Sequence, residues 1–210
     1  MVQAVLKDII MKSHPFLNLL ALLALLCLSR LSAVAAPEII ISVPDQRLVL
    51  MENGVLVAHF PVSTSKFGLG DQPSSYATPL GTLQVAAKVG AGAPMGAVFK
   101  SQHMTGEVLP PNAPGRDPIV TRILHLRGLD TCNSRAFDRG IYIHGTTEEF
   151  KIGRPASYGC IRMRSKDVVR VFDEVPVGTK IEIVNTPLRQ AMAEFAARQP
   201  IAPGRHLAAN

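Results

Sequence analysis

The chain has 210 residues, 47% of them hydrophobic, 18% charged and 5% aromatic, with 16 glycines, 16 prolines and no tryptophan. That length suits one ordinary domain with tails and can bury a core without disulfides or metals, and the composition is neither disordered nor collagen-like. Lys and Arg outnumber Asp and Glu by 22 to 16, a formal charge of +6, which excludes an extreme polycation and permits an anionic partner.

The first element is apolar. Phe16 to Leu28 is a nearly uninterrupted hydrophobic run, preceded by Lys7 and Lys12 and followed by Ala33-Val-Ala35. A positive start, a core of this length and an Ala-x-Ala site make a secretory signal peptide, and the run is short for a membrane span of about 20 residues. Residues 1–36 are read as this leader, with an uncleaved anchor as the alternative. Leu26 before Cys27 argues against a lipid-modified cysteine. The expected location is therefore exported, in the periplasm or cell envelope. The mature chain would keep a formal +4 and two cysteines, Cys132 and Cys160. Oxidising compartments favour a bridge between them; one reactive thiol is the competing reading.

Strands are predicted over 39–43, 47–51 and 55–62, with Asn53-Gly54 as a hairpin turn between the last two. A polar, Gly-rich loop covers 63–75, and 81–89 returns to strand. Residues 90–118 show little periodicity and are read as a long irregular connection, more functional than inert. Further strands are expected at 119–126, 140–144 and 179–184. Ser165 is expected to cap a helix over 166–175 whose Val168, Val171, Phe172 and Val175 form an apolar face. A last helix is expected from Pro187 to Gln199. No internal repeat or second domain is visible. Generous Gly and Pro with short strands predict a mainly β fold, a mostly antiparallel β-sandwich or curled sheet with one or two short helices.

Two segments carry chemistry: Ile141-Tyr-Ile-His144-Gly145-Thr146 and Ser157-Tyr158-Gly159-Cys160-Ile161-Arg162-Met163. A cysteine nucleophile needs a base to form thiolate, and histidine is the usual one. The gap of 16 positions between His144 and Cys160 spans one loop and lets two neighbouring strand ends meet. Gly159 would let backbone approach a substrate and supply an N–H to an oxyanion. Spacing alone leaves a chance pairing open.

The literal strings resemble the signature of the L,D-transpeptidase (YkuD) family, a His-Gly followed by a Ser/Thr-x-Gly-Cys-x-Arg/Asn element. Ser63-Thr-Ser-Lys-Phe-Gly-Leu-Gly, Tyr76-Ala-Thr-Pro-Leu-Gly81 and Ile123-Leu-His-Leu-Arg-Gly-Leu129 are similar to that family's upstream blocks, so the likeness runs over roughly 38–185. It implies a catalytic domain over 37–185, with 186–210 a C-terminal helix and tail. It implies Cys160 as the acyl-forming nucleophile and His144 as its base. Gly159, Tyr158, Gly145 and Ser157 are implied as oxyanion or supporting positions, and Arg162 and Thr146 as substrate-binding. Many members carry His where Tyr158 stands. The likeness further implies an acyltransferase that joins peptidoglycan stem peptides by 3→3 links, without metal or organic cofactor. It would act as a monomer, with no nucleic-acid partner and no membrane contact beyond the leader. Water as acceptor would make it an L,D-carboxypeptidase, and a protein amine would make it a wall-anchoring enzyme. A catalytically silent wall-binding module is the rival from another class.

Ser63-Thr-Ser-Lys66 lacks the companion boxes of a β-lactamase and is read as a loop. His59 is read as structural or surface. His103 is left as a candidate for the cleft, His125 is open, and His206 falls in the tail.

Overall fold

A computed structural model describes residues 37–198; the leader assigned to 1–36 and the tail after Arg198, with His206, lie outside the described residues. The strands are β1 (Glu38–Ser42), β2 (Arg47–Glu52), β3 (Val55–Pro61), β4 (Gly81–Val89), β5 (Ala97–Lys100), β6 (His103–Val108), β7 (Ile119–Gly128), β8 (Tyr142–Gly145), β9 (Ile161–Met163) and β10 (Lys180–Val184). The helices are α1 (Ser165–Glu174) and α2 (Leu188–Arg198). The strands form one mixed sheet in the order β3-β2-β1-β10-β4-β7-β5-β6, with β8 on the free side of β7 and β9 beyond it. β1/β10 and β8/β9 are parallel; the remaining pairs are antiparallel.

One core holds the sheet. Ile39, Ile41, Leu48 and Phe60 from one end share a buried cluster with Leu124, Ile143, Ile161 and Met163 from the other, so the sheet curls over its own inner face. Val168, Val171 and Phe172 of α1 fill that core. Ile40 and Val49 point the other way and meet Ala191 and Phe195 of α2. Covered on both faces, β1 has no polar alternation, which is why Ile39-Ile40-Ile41 reads as a continuous apolar run. The Asn53-Gly54 turn forms as expected, with φ of 52° and 74° at its two residues, the geometry of a two-residue hairpin.

Three expectations are corrected. The stretch 90–118 is not wholly irregular, because it holds the β5–β6 hairpin. Every residue of β6 is exposed, so no buried face imposes a period-2 pattern. β9 also went unpredicted; at three buried residues it is too short to show a period. Ser165 begins α1 but does not cap it: Arg164 stands at the cap position without a side-chain bond. The Glu149 carboxylate instead accepts the Ser165 N–H at 2.7 Å, and the Ser165 hydroxyl meets Thr121 Oγ1 at 2.7 Å.

Candidate active site

β8 and β9 place the two motifs side by side. Their register pairs Ile143 with Ile161, His144 with Arg162 and Gly145 with Met163. Cys160 therefore immediately precedes β9, on the neighbouring strand line and two positions before the partner of His144. The nucleophile thus stands one residue outside the paired stretch, at the entry to the strand beside the one that carries His144.

The base is oriented by backbone. His144 is 5% exposed, and its Nδ1 lies 2.7 Å from the carbonyl oxygen of Gly145. A carbonyl only accepts, so Nδ1 carries the proton and Nε2 keeps a lone pair. Gly145 is required by crowding: a Cβ there would stand 2.6 Å from the Val120 carbonyl oxygen and 3.1 Å from Thr121 Cβ. The close approach comes from a bulge in β7, where Thr121 has a φ of 74°, costly for a β-branched residue. Gly145→Ala is expected to cost about 3 kcal/mol, the upper range for overpacking against backbone that cannot move away, and to displace the carbonyl that orients His144. Urea unfolding together with turnover would check this; an unchanged midpoint would show that β7 yields.

The nucleophile turn is braced on several sides. Ser157 Oγ donates to the Cys160 carbonyl at 2.5 Å and accepts the Gly159 N–H at 3.2 Å. Thr78 Oγ1 donates to the Gly159 carbonyl at 3.0 Å. Gly159 has a φ of 115°, and a Cβ would meet the Ala77 carbonyl and Ile141 at 3.2 Å. The 63–65 loop lies alongside: Ser63 exchanges two backbone hydrogen bonds with Arg162, and Thr64 accepts from Ala156 and Ser157. Ser63 and Ser65 are buried, with hydroxyls donated to the Lys151 and Tyr76 carbonyls, so this segment is a buttress.

The thiol of Cys160 donates to the Gly140 carbonyl, with sulfur and oxygen 3.3 Å apart. Burial pushes it up to about 11, although the Tyr142 N–H and the charges of Arg139 and Arg162 favour thiolate. Burial likewise holds His144 down at about 4, against the Gly145 bond and the Asp117 charge, which favour the cation. At neutral pH the resting pair is thiol and neutral imidazole. Unfolded, His144 would protonate below about 6.5; folded, it resists until about 4. The unfolded state then binds the extra proton, so stability should fall by about 3 kcal/mol as pH drops across that window and stay level just above it. Cys160 acts in the opposite direction, removing stability as pH rises from 9 to about 11. Urea titrations across pH would show both slopes, and His144→Gln should remove the acidic one.

Sequence reasoning missed Asp117, which lies between the β5–β6 hairpin and β7. Its Oδ1 accepts from Thr146 Oγ1 at 2.5 Å and from the Thr147 N–H and hydroxyl, both at 3.1 Å. Its Oδ2 accepts from Arg162 Nη1. Burial disfavours the Asp117 anion, but the Thr146 bond and the Arg162 charge outweigh it and hold the carboxyl below its ordinary value. Only the Arg-Asp-Pro string marks this residue in the sequence, and it carries no periodicity.

The proposed substrate contacts are therefore revised. Arg162 is 5% exposed and its fork is occupied by Asp117, by Glu148 at 3.2 and 3.3 Å, and by the Ala156 carbonyl at 3.1 Å. Thr146 is buried on Asp117. Both are turned onto Asp117; of the Arg162 fork only Nε is left without a partner, and that atom is buried. The Gly159 N–H, held by Ser157, is not free to meet an oxyanion. Tyr158 is 59% exposed and packs at the rim against Phe67 and Tyr76, with centroids 5.1 and 5.7 Å away. Lys66 Nζ reaches its hydroxyl at 3.2 Å. His125 is structural, stacked on Phe137 at 3.9 Å with Nε2 donating to the Phe137 carbonyl. His103 is exposed on β6, its Nδ1 2.8 Å from the Ser101 carbonyl, and His59 is exposed on β3. Cys132 and Cys160 are both free; Cys132 sits on the surface with its thiol 3.8 Å from the Leu80 carbonyl. Among the described residues no group of three or more His, Cys, Asp or Glu side chains could hold a metal.

Comparison with known proteins gives a consistent picture. The family model for the L,D-transpeptidase catalytic domain, YkuD, matches residues 36–183. A probable L,D-transpeptidase of Escherichia coli, YcfS, is 43% identical over 60 residues, 28% of this chain and 19% of that protein. The probable L,D-transpeptidase ErfK/SrfK of Salmonella typhimurium is 49% identical over 56 residues, 27% of this chain and 18% of its own length. The putative L,D-transpeptidase YqjB of Bacillus subtilis is 43% identical over 54 residues, 25% of this chain and 31% of its own length. The chain thus matches less than a third of the length of each relative. The crystal structure of the L,D-transpeptidase (residues 123–326) of Xylanimonas cellulosilytica aligns with a TM-score of 0.47 and 18% identity, covering 73% of this chain and 62% of that one.

Proposed function

Because this chain belongs to the YkuD family of L,D-transpeptidase catalytic domains, we propose that it is an exported peptidoglycan L,D-transpeptidase that works through a Cys160 thioester. The observation that carries the reading is His144, whose Nδ1 is locked on the Gly145 carbonyl while Nε2 stays basic beside the strand that presents Cys160. A silent binding module has no need for a buried thiol and an imidazole set in one tautomer.

The chemistry follows from those two groups. A stem tetrapeptide places the carbonyl between the L-centre of diaminopimelate and the terminal D-Ala against Cys160. His144 Nε2 takes the thiol proton as sulfur attacks, so charge appears only when substrate has covered the site. The tetrahedral intermediate collapses with cleavage of the C–N bond, His144 returns the proton to nitrogen, and D-Ala leaves. The side-chain amine of a second stem then attacks the thioester, giving a 3→3 amide and restoring the thiol. Asp117, through Thr146 and Arg162, acts as a positioning group, and its charge favours the transient imidazolium.

Incubation of the mature domain with a stem tetrapeptide tests the proposal. Intact-mass measurement should show a tripeptide acyl group on Cys160 with release of D-Ala. Products should be cross-linked dimer; free tripeptide alone would assign the carboxypeptidase outcome. No acyl adduct and no D-Ala release would overturn the reading.

A further inference from the structure

A cavity of about 500 Å³ opens beside the nucleophile turn, lined by Tyr76, Arg135, Asp138, Arg139, Ile141 and Tyr158 among others. Its wall is the segment that holds the sulfur, since the Gly140 carbonyl accepting the Cys160 thiol lies between Arg139 and Ile141. The charges on this wall are unevenly used. Arg139 is spent: it donates to Asp71 Oδ1 at 2.7 Å and to the Gly70 and Ala77 carbonyls at 3.1 and 2.7 Å. The second oxygen of Asp71 accepts the Arg135 N–H at 2.7 Å, and the Arg139 N–H closes a helical turn on the Arg135 carbonyl at 2.9 Å. Asn133 fixes the start of the turn on the Leu80 and Thr82 carbonyls, and Phe137 is stacked on His125. The backbone of 133–139 is thus tied down, while the Arg135 guanidinium and the Asp138 carboxylate have no hydrogen-bond or ion-pair partner among the described residues. One cation and one anion, three positions apart on a rigid turn, both border the same cavity.

We propose that Arg135 and Asp138 form a subsite for a zwitterionic amino-acid head, a carboxylate and an ammonium on one carbon, and that its occupant is the free D-centre of diaminopimelate in the donor stem. The proposal rests on the stem-peptide reading above. Arg135 holds the carboxylate through its bidentate fork and Asp138 the ammonium. The donor is favoured over the acceptor by proton chemistry. A donor's ammonium is a bystander and keeps its charge, whereas an acceptor's amine must shed its proton to attack, and a carboxylate beside it opposes that. Arg135 and Asp138 are specificity-determining residues, and neither touches the reacting atoms.

Binding isolates this subsite from the chemistry. Calorimetry on the Cys160→Ala protein would use three tetrapeptide stems, carrying diaminopimelate, its side-chain amide, or lysine at the third position. The diaminopimelate stem is expected to bind about tenfold or more tightly than the other two, as for one lost charge-assisted bond. Arg135→Ala should erase that margin while leaving affinity for the amide and lysine stems within about twofold. Asp138→Asn should weaken all three, since each keeps the ammonium. Equal binding of the three stems, or a uniform loss in Arg135→Ala, overturns the subsite. Failure of the transpeptidase reading looks different: the same margins in binding, with no acyl adduct on the unmutated protein.

Discussion

Cys160→Ser is expected to lower turnover at least about a thousandfold, the scale seen when an essential nucleophile is removed. The hydroxyl has a far higher pKa than the thiol and is a weak nucleophile unless a base is fully engaged. Burial holds His144 down at about 4, so its neutral imidazole is too weak a base to draw the proton from a hydroxyl, whose pKa lies far above that of a thiol. A serine can keep the hydrogen bond to the Gly140 carbonyl, so stability should change by less than about 1 kcal/mol. Intact mass and D-Ala release read the chemistry, and thermal unfolding reads the fold. Turnover within tenfold of the unmutated protein would remove Cys160 from the mechanism.

Asp117→Ala should damage both fold and activity. Arg162 and Asp117 are paired with side chains only 6% and 16% exposed, and removing one member of a buried pair strands the other charge at a typical cost of 3–5 kcal/mol. Glu148 still reaches the guanidinium, which places the expected loss near the lower figure, about 3 kcal/mol. The Thr146 hydroxyl and the Thr147 N–H lose their acceptor in the same step, while the Thr147 hydroxyl can turn to the Arg116 carbonyl at 3.2 Å. Without the Asp117 charge the imidazolium is harder to form, so turnover should fall on the order of 10²-fold in the protein that remains folded. Asp117→Asn is the informative control, because it keeps an acceptor for the threonines but not the charge. It should recover much of the stability and little of the turnover. The carboxyl sits below its ordinary value of 3.8, so its contribution is fully present above that value and disappears as pH falls through the folded pKa. An acid-unfolding midpoint unchanged in Asp117→Asn would count against this account.

The legible parts of the chain were those where one physical pattern dominates. Val168, Val171 and Phe172 recur at helical spacing because one stripe of α1 meets the core, and Asn53-Gly54 announces its turn through the left-handed φ values that it requires. His144 and Cys160 were legible as a local string. The environment of that string was not. A sequence shows that Arg162 is a cation without showing that its side chain points inward onto two carboxylates from 14 and 45 positions away. Asp117 stands next to Pro118 at the end of an irregular stretch and looks like a turn residue; only the approach of Thr146 and Thr147 gives it a role. Ser165 resembles a cap by type, yet its hydroxyl goes to Thr121 and Glu149 caps the helix instead.

The placement of β10 has a consequence for the order in which the domain is completed. This strand comes last in the sheet by sequence and sits between β1, the first, and β4. Until it is laid down, β1 and β4 each keep an open edge, the kind of unsatisfied backbone that invites wrong partners. Closing β1 against β10 joins residues about 140 positions apart, a long loop whose closure entropy slows folding. A chain threaded through a narrow passage from its amino end would therefore stay incomplete until residue 184 had emerged. Truncation before Thr179 would leave two half-sheets with nothing between them.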